Sequence, residues 1–210
     1  GMTLAQRLKA ATAEEHRRVE RSGLMAALLR GRVERVAYLA LLRNLLAVYA
    51  ALEPALLRHA ASAVVGPVVM PELFRSAALK SDLLALRHDA DPPAAALRPA
   101  TAAYLERLHE LDAARPELLV AHAYVRYLGD LSGGQQLRRI VGRALGLQGA
   151  AGTRFYDFGD SARVNALALR FRAALEEVGA RAADADAIVA EAESAFGRHG
   201  LLFEQLAAAA

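Results

Sequence analysis

The 210-residue sequence contains no cysteine. That absence excludes a disulfide framework, a thiolate metal centre and a cysteine nucleophile, leaving any metal chemistry to His, Asp and Glu. Tryptophan is missing as well, and Phe and Tyr number only six each. Lysine is nearly absent: Lys9 and Lys80 are the only two among 26 basic residues, and the rest are Arg. The net charge is just +3, with acidic and basic residues alternating along most segments, which argues against a nucleic-acid-binding protein. The longest uninterrupted apolar run, Leu45 to Leu52, is far short of the roughly 20 residues a membrane span needs, and the N-terminus carries no signal-peptide core. A soluble, cytoplasmic protein without a membrane anchor is expected.

What is abundant is alanine and leucine, 49 and 35 residues, the composition of a helix former. Apolar residues recur at three- and four-residue intervals and no convincing period-two stretch appears, so the expected fold is all-α. No compositional break divides the chain. Gly1 ahead of Met2 reads as the remnant of a cleaved tag, and residues 2–207 as one domain, with the terminal alanine run outside it. Thr3 is placed to cap a first helix that ends before Ser22-Gly23. A long helix is expected from about Val33 to His59, kinked or restarted at Pro54, and another from Ser76 through Leu86. Asp91-Pro92-Pro93 is a loop. Helices follow at about Pro99–Asp112 and Pro116–Leu147, then a loop from Gly149 to Asp160, then helices at about Ala162–Val178 and Asp184–Leu206.

Two segments carry chemistry. In the first helix, LAQRLKAATAEEHRRVE, His16 lies on or beside the stripe of Leu4, Leu8, Thr12 and Val19 and is expected to point inward. Glu20, four residues on, is placed to accept a ring N–H and fix the tautomer, and Lys9, seven residues earlier, lies on nearly the same face. Taken alone, this is equally the pattern of a histidine at the edge of a core. The second segment, AHAYVRYLGDLSGGQQLRRI, puts three glycines into an otherwise strongly helical stretch, each costing roughly 1 kcal/mol relative to Ala. Gly129 and Gly133 share a face with Gly134 beside them, a bare backbone surface suited either to close helix packing or to a flat ligand. Asp130 sits between Leu128 and Leu131 and needs partners if buried; Tyr124, Arg126 and Tyr127 are nearest in sequence. A histidine facing a glycine-lined slot that holds a water-ordering acid suits a planar metal macrocycle.

With these residues in view, the sequence resembles the heme oxygenase family. AATAEEHRRVE is similar to the family's proximal-helix motif, YLGDLSGGQ matches its distal-helix signature almost letter for letter, and AFGRHGLLFEQL continues the likeness. The resemblance implies heme held between the first helix and a kinked, glycine-rich distal helix, as cofactor and substrate at once. It implies His16 as the axial iron ligand, Glu20 as its hydrogen-bond partner, and Lys9, Tyr124 and Arg172 as partners of the heme propionates. It further implies Gly129, Gly133 and Gly134 as the glycines that let the backbone approach the macrocycle. Asp130 then orders water on the oxygen-binding side, with Tyr49 and Arg126 in the same network. Ala168 stands where animal members have a second propionate-side lysine, and His199 where an asparagine of the distal network is found; His199 facing solvent is the plainer alternative.

The implied reaction opens heme to biliverdin, carbon monoxide and ferrous iron with O2. A cysteine-free chain without a flavin motif needs external electrons, so a ferredoxin, flavodoxin or flavin reductase partner is implied. Arg17, Arg18 and Arg21, or Arg138, Arg139 and Arg143, could steer an acidic donor, although both clusters also read as solvated helix faces. The competing reading is a heme-binding or heme-sequestering protein without turnover. A structural helical bundle is disfavoured by Asp130 and the glycines. A four-helix di-iron protein needs Glu-x-x-His on two helices, a pair this chain does not supply.

Overall fold

The computed structural model describes residues 1–208 and contains, among them, helices, turns and loops without a strand. Nine α-helices run in chain order: α1 Leu4–Glu20, α2 Gly23–Leu29, α3 Arg35–Arg58, α4 Ser76–Leu86, α5 Pro99–Ala114, α6 Leu119–Ala123, α7 Gly129–Ala144, α8 Ser161–Arg181 and α9 Ala185–Ala208. The last helix takes in Ala207 and Ala208 of the terminal alanine run; residues 209 and 210 lie outside the described part.

Helix α1 opens as its sequence suggests. Thr3 accepts from the Gln6 N–H at 3.2 Å while the Gln6 side chain accepts from the Thr3 N–H at 3.0 Å, a reciprocal capping box. Its inward stripe is Leu4, Leu8 and Thr12. Gly23 does not merely end this helix: with φ of +47° it turns the chain and starts α2, an element absent from the sequence-based expectation. Seven residues are too few to show periodicity against their neighbours. In α3, Pro54 interrupts nothing, because it lies on the exposed side near the C-terminal end. By length and composition α3 could cross a membrane, yet more than half of its apolar window is buried in the fold, as befits a core helix.

The expected single helix over Pro116–Leu147 is divided. It begins with a short 3₁₀ turn at Pro116–Leu118, continues as α6, passes through a π-helical turn at Tyr124–Leu128 and resumes as α7. The irregularity therefore precedes the glycines, and Gly129 to Gly134 lie in regular α-helix. One additional residue in a turn rotates the rest of the helix by about 100° around its axis, and so re-aims the glycine face.

Helix α9 is the central packing element, meeting α1, α2, α5 and α6, while α3 packs on α4 and α5. The loop between α7 and α8 is held from below. Asp82 of α4 accepts from the Arg154 and Phe155 N–H groups, both at 2.8 Å. The buried Arg75 guanidinium donates to the Phe155 and Asp157 carbonyls at 3.0 and 3.3 Å and stacks 3.8 Å over the Phe158 ring. Glu53, also buried, accepts from the Arg75 and Ser76 N–H groups at the start of α4 and from the Tyr127 hydroxyl at 2.8 Å.

A Cβ on Gly23 would collide with the Phe203 carbonyl of α9, and its positive φ disfavours any side chain. Gly23→Ala is expected to cost about 2 kcal/mol or more of stability, read from urea denaturation midpoints at unchanged slope.

Candidate active site

The glycine-rich segment presents two different surfaces. A Cβ on Gly129 would meet nothing within 4 Å, and one on Gly133 would touch only the Leu137 side chain at 3.6 Å, so these two glycines border open space. Gly134 faces the other way: its Cβ would lie 2.9 Å from the Tyr156 carbonyl oxygen. The three glycines are thus not one face. Gly134 is the close-packing glycine that seats α7 on the loop below, and Gly129 with Gly133 leaves bare backbone above.

Asp130 lies between these surfaces and is nearly buried. The Tyr49 hydroxyl of α3 donates to one carboxylate oxygen, Arg126 Nη2 donates to the other at 3.1 Å, and Arg126 Nε donates to the Tyr49 oxygen at 2.8 Å. The guanidinium also sits 5.1 Å from the Tyr49 ring centroid. Burial pushes the Asp130 carboxyl up, against the downward pull of the Arg126 charge and the Tyr49 hydrogen bond. Burial pushes the Tyr49 phenol well up too, which keeps it a hydrogen-bond donor. Burial alone would lower Arg126, but Tyr49 and Asp130 outweigh it and hold the cation firmly charged. Of the three sequence neighbours expected to satisfy Asp130, Arg126 does so; Tyr127 turns to Glu53.

Tyr124 lies on the side facing α1 and α8. Burial raises its phenol, while the neighbouring Thr12 and the charge of Arg172 act to lower it. These neighbours join the two sequence motifs: Thr12 is one turn of α1, about 6 Å, before His16. His16 itself is not inward-pointing. Its side chain is 54% exposed, its ring stacks on Phe196 of α9 at 5.6 Å, and Nε2 lies 2.8 Å from a Glu20 carboxylate oxygen. Val19, one turn on, still packs against the core, whereas the His16 ring lies along the outside of α9 on Phe196. Half-exposure beside an orienting acid is what a histidine that takes an external ligand requires. Nδ1 is the nitrogen that Glu20 does not engage. Lys9 and Arg172 are exposed on α1 and α8, and Ala168 packs against the core without offering a charge.

Several groups escaped the sequence reading. One is Glu53, the buried carboxylate that takes the Tyr127 hydroxyl beneath Asp130. A second buried cluster joins Tyr104, His122, His199 and Glu191. His199 is 2% exposed, so the solvent-facing alternative is wrong. The one Glu-x-x-His spacing in the chain, Glu106 and His109, is exposed on α5, and among the described residues no group of three His, Asp or Glu side chains could hold a metal ion.

In the second cluster, burial pushes the Glu191 carboxyl up, but hydrogen bonds from His122 and Arg107 overcome it and hold the group at about 2. A carboxyl lowered on folding stabilises the fold above its unfolded value, near 4.5, and loses that contribution as pH falls toward 2. Wild-type stability is accordingly expected to drop across this window. Glu191→Gln should be less stable at pH 7 and show a flatter profile between pH 4.5 and 2, measured by denaturant unfolding at each pH.

Comparison with known proteins agrees with this geometry. Residues 2–205 match the sequence model of the heme oxygenase family. Heme oxygenase 1 of Nostoc sp. is 37% identical over 203 residues, covering 97% of this chain and 85% of that protein. The crystal structure of heme oxygenase-1 from Synechocystis sp. in complex with heme superposes with a TM-score of 0.90 at 34% identity, covering 99% of this chain and 94% of that one. The heme oxygenase structure from Leptospira interrogans gives 0.89 at 34% identity, with 97% and 99% covered. A half-exposed, acid-oriented imidazole, an open glycine surface and a buried Asp-Arg-Tyr cluster, in a chain matched end to end at this level, place the protein in the heme oxygenase family.

Proposed function

We propose that residues 2–207 form one domain that cleaves heme oxidatively to biliverdin, carbon monoxide and ferrous iron, using O2 and electrons from a separate donor. The observation that carries this reading is the Tyr49–Arg126–Asp130 cluster set directly beside the open face of Gly129 and Gly133. Bound heme supplies the redox-active iron and the macrocycle to be opened.

The residues fit that group. His16 would ligate the iron through one ring nitrogen while Glu20 accepts from the other and fixes the tautomer. Imidazole as the sole protein ligand leaves the opposite side for oxygen. Gly129 and Gly133 let a flat molecule lie against the backbone of α7. Tyr124, Arg172 and Lys9 supply the hydroxyl and positive charge that suit propionates, and Ala168 removes one cation from that set. Both carboxylate oxygens of Asp130 are tied down, by Tyr49 and by Arg126, so the side chain cannot swing into the open space. It is positioned to pass protons through ordered water, and the burial that raises its affinity for a proton suits it to that task.

The electron donor is proposed to be an acidic ferredoxin or flavodoxin, or a flavin reductase, in the cytoplasm. Both arginine clusters line clefts and each has a paired member, Arg18 in the first and Arg138 in the second; the second is proposed because its helix also carries the glycine segment. Arg139 and Arg143 of α7 join Arg30 around a cleft whose other walls are Leu29, Gly31, Gln136, Ile140 and Ala144. In the first, Arg18 is already paired with Glu14 and Glu15. Arg139 and Arg143 also lie on the helix that carries Gly129 and Asp130.

Reconstitution with hemin followed by a reductant tests the activity: the Soret band should decay as biliverdin absorption grows, whereas a sequestering protein would keep its Soret band. Asp130→Ala should still bind hemin but form biliverdin about 10²-fold more slowly. His16→Ala should lose the neutral-imidazole spectrum of the ferrous–CO complex. Exchanging Arg139 and Arg143 together for Glu should slow turnover roughly tenfold with a protein donor at low salt and leave ascorbate-driven turnover unchanged.

A further inference from the structure

His199 of α9 is fully enclosed, and its Nδ1 has no hydrogen-bond partner among the protein groups. A buried polar atom left unsatisfied is costly, so its presence needs a reason. The reason lies in how the ring is wired. Glu191 accepts from Arg107 at 2.7 and 3.2 Å and is held ionised by that pairing and by His122. An ionised carboxylate only accepts, so His122 Nε2, 2.8 Å away, carries the proton it receives. Burial keeps the His122 imidazole neutral, which leaves Nδ1 with a lone pair, and the Tyr104 hydroxyl at 2.7 Å donates to it. With its only proton committed, the Tyr104 oxygen can accept alone, and the group facing it at 3.5 Å is His199 Nε2. Each bond dictates the next. The sequence Glu191, His122, Tyr104, His199 therefore ends in a ring that is protonated at Nε2 and bare at Nδ1.

The surroundings act in the same direction. The titratable and charged groups about the ring are Tyr104 and Arg107 from α5, His122 from α6, Arg126 from the π-helical turn, and Glu191 and Arg198 of α9 itself. Burial, then the charges of Arg126 and His122, push His199 well below the ordinary histidine value, so it stays an uncharged acceptor. Arg126 is the same guanidinium that bonds Tyr49 and Asp130.

We propose that His199 is a further positioning residue, a tautomer-locked imidazole whose bare Nδ1 is held ready to accept a hydrogen bond from an enclosed water, with Glu191, His122 and Tyr104 fixing which nitrogen is bare. The locked tautomer stands on the hydrogen bonds alone; a part for that water in turnover rests on the heme-cleaving reading.

Long-range ¹H–¹⁵N correlation of the histidine rings in the full-length protein at pH 7 tests the first part. His199, identified by the resonances lost in H199N, should be a neutral Nε2–H tautomer. In Tyr104→Phe, which keeps the ring and removes the oxygen, it should become a mixture of tautomers, and Glu191→Gln, which keeps the shape and removes the charge, should do the same. A protonated ring, an Nδ1–H tautomer, or no change in either variant would overturn the relay. The second part is read on hemin-reconstituted protein: H199F, which cannot accept a hydrogen bond, should form biliverdin at least about fivefold more slowly than H199N at equal hemin affinity. Equal rates would overturn the positioning role. A wild-type protein that binds hemin and yields no biliverdin would defeat the function proposed above, and the tautomer measurement would still decide the wiring of His199.

Discussion

A single buried cation organises this molecule. Arg126 sits in the π-helical turn, where its guanidinium is largely withdrawn from water, and an isolated charge in that position would cost several kcal/mol. Asp130 one turn on and Tyr49 from α3 offset that cost, and in doing so they fix how α3 lies against the start of α7. The geometry is over-determined: the hydroxyl of Tyr49 both accepts from Arg126 and donates to Asp130, so the three groups close a ring of hydrogen bonds. The same charge reaches Tyr104 and His199 in the second cluster. Two buried polar networks that share no direct bond are thereby coupled through one guanidinium, whose field keeps a second positive charge off His199 and acts to lower the Tyr104 phenol.

The open surface beside this ring depends on what supports α7 from the opposite side. Tyr127 and Asp130 are close in sequence, yet Tyr127 points down to Glu53 while Asp130 joins Arg126. Glu53 in turn anchors the start of α4, and α4 anchors the loop at Arg154–Asp157 through Asp82 and Arg75. That loop presents the Tyr156 carbonyl to Gly134. Removing a side chain at Gly134 lets α7 settle on the loop, and removing side chains at Gly129 and Gly133 keeps the upper face clear. The same residue type serves opposite ends within six positions, one for contact and two for space.

Much of this was legible in the sequence because it is local. The Leu4, Leu8, Thr12 stripe, the cap at Thr3 and the pairing of His16 with Glu20 follow from spacing along one helix. Asp130 announced its need for a partner by standing among leucines, and Arg126 was within reach on the same helix. What could not be read depends on distant segments. Spacing cannot show that Gly134 faces a loop more than 20 residues away, or that Glu53 on an apolar helix caps another. Nor does any residue announce the π-helical turn at Tyr124–Leu128. The inward direction expected for His16 erred for a related reason: periodicity tells which side of a helix is apolar, but not how far around it the core extends.

Environment divides the histidines more sharply than sequence does. His122 is fully buried with both nitrogens bonded, so it has no site left to offer. His199 is buried with one nitrogen committed and the other bare, and enclosure restricts it to small partners. His59 is half-buried and engaged with Asp112, which Arg58 also binds. His109 and His88 are exposed, and the acids three residues on are committed elsewhere, Asp112 to Arg58 and His59 and Asp91 to Arg35 and the His88 N–H. His16 alone combines an accessible ring, an aromatic surface at its back and a carboxylate one turn on that sets its tautomer. A ligand as large as heme needs all three, because the iron must be reached from outside the core by an imidazole whose orientation is set before binding. This combination singles out His16 among the six histidines as the proposed ligand, with Asp130, Arg126 and Tyr49 proposed for proton delivery.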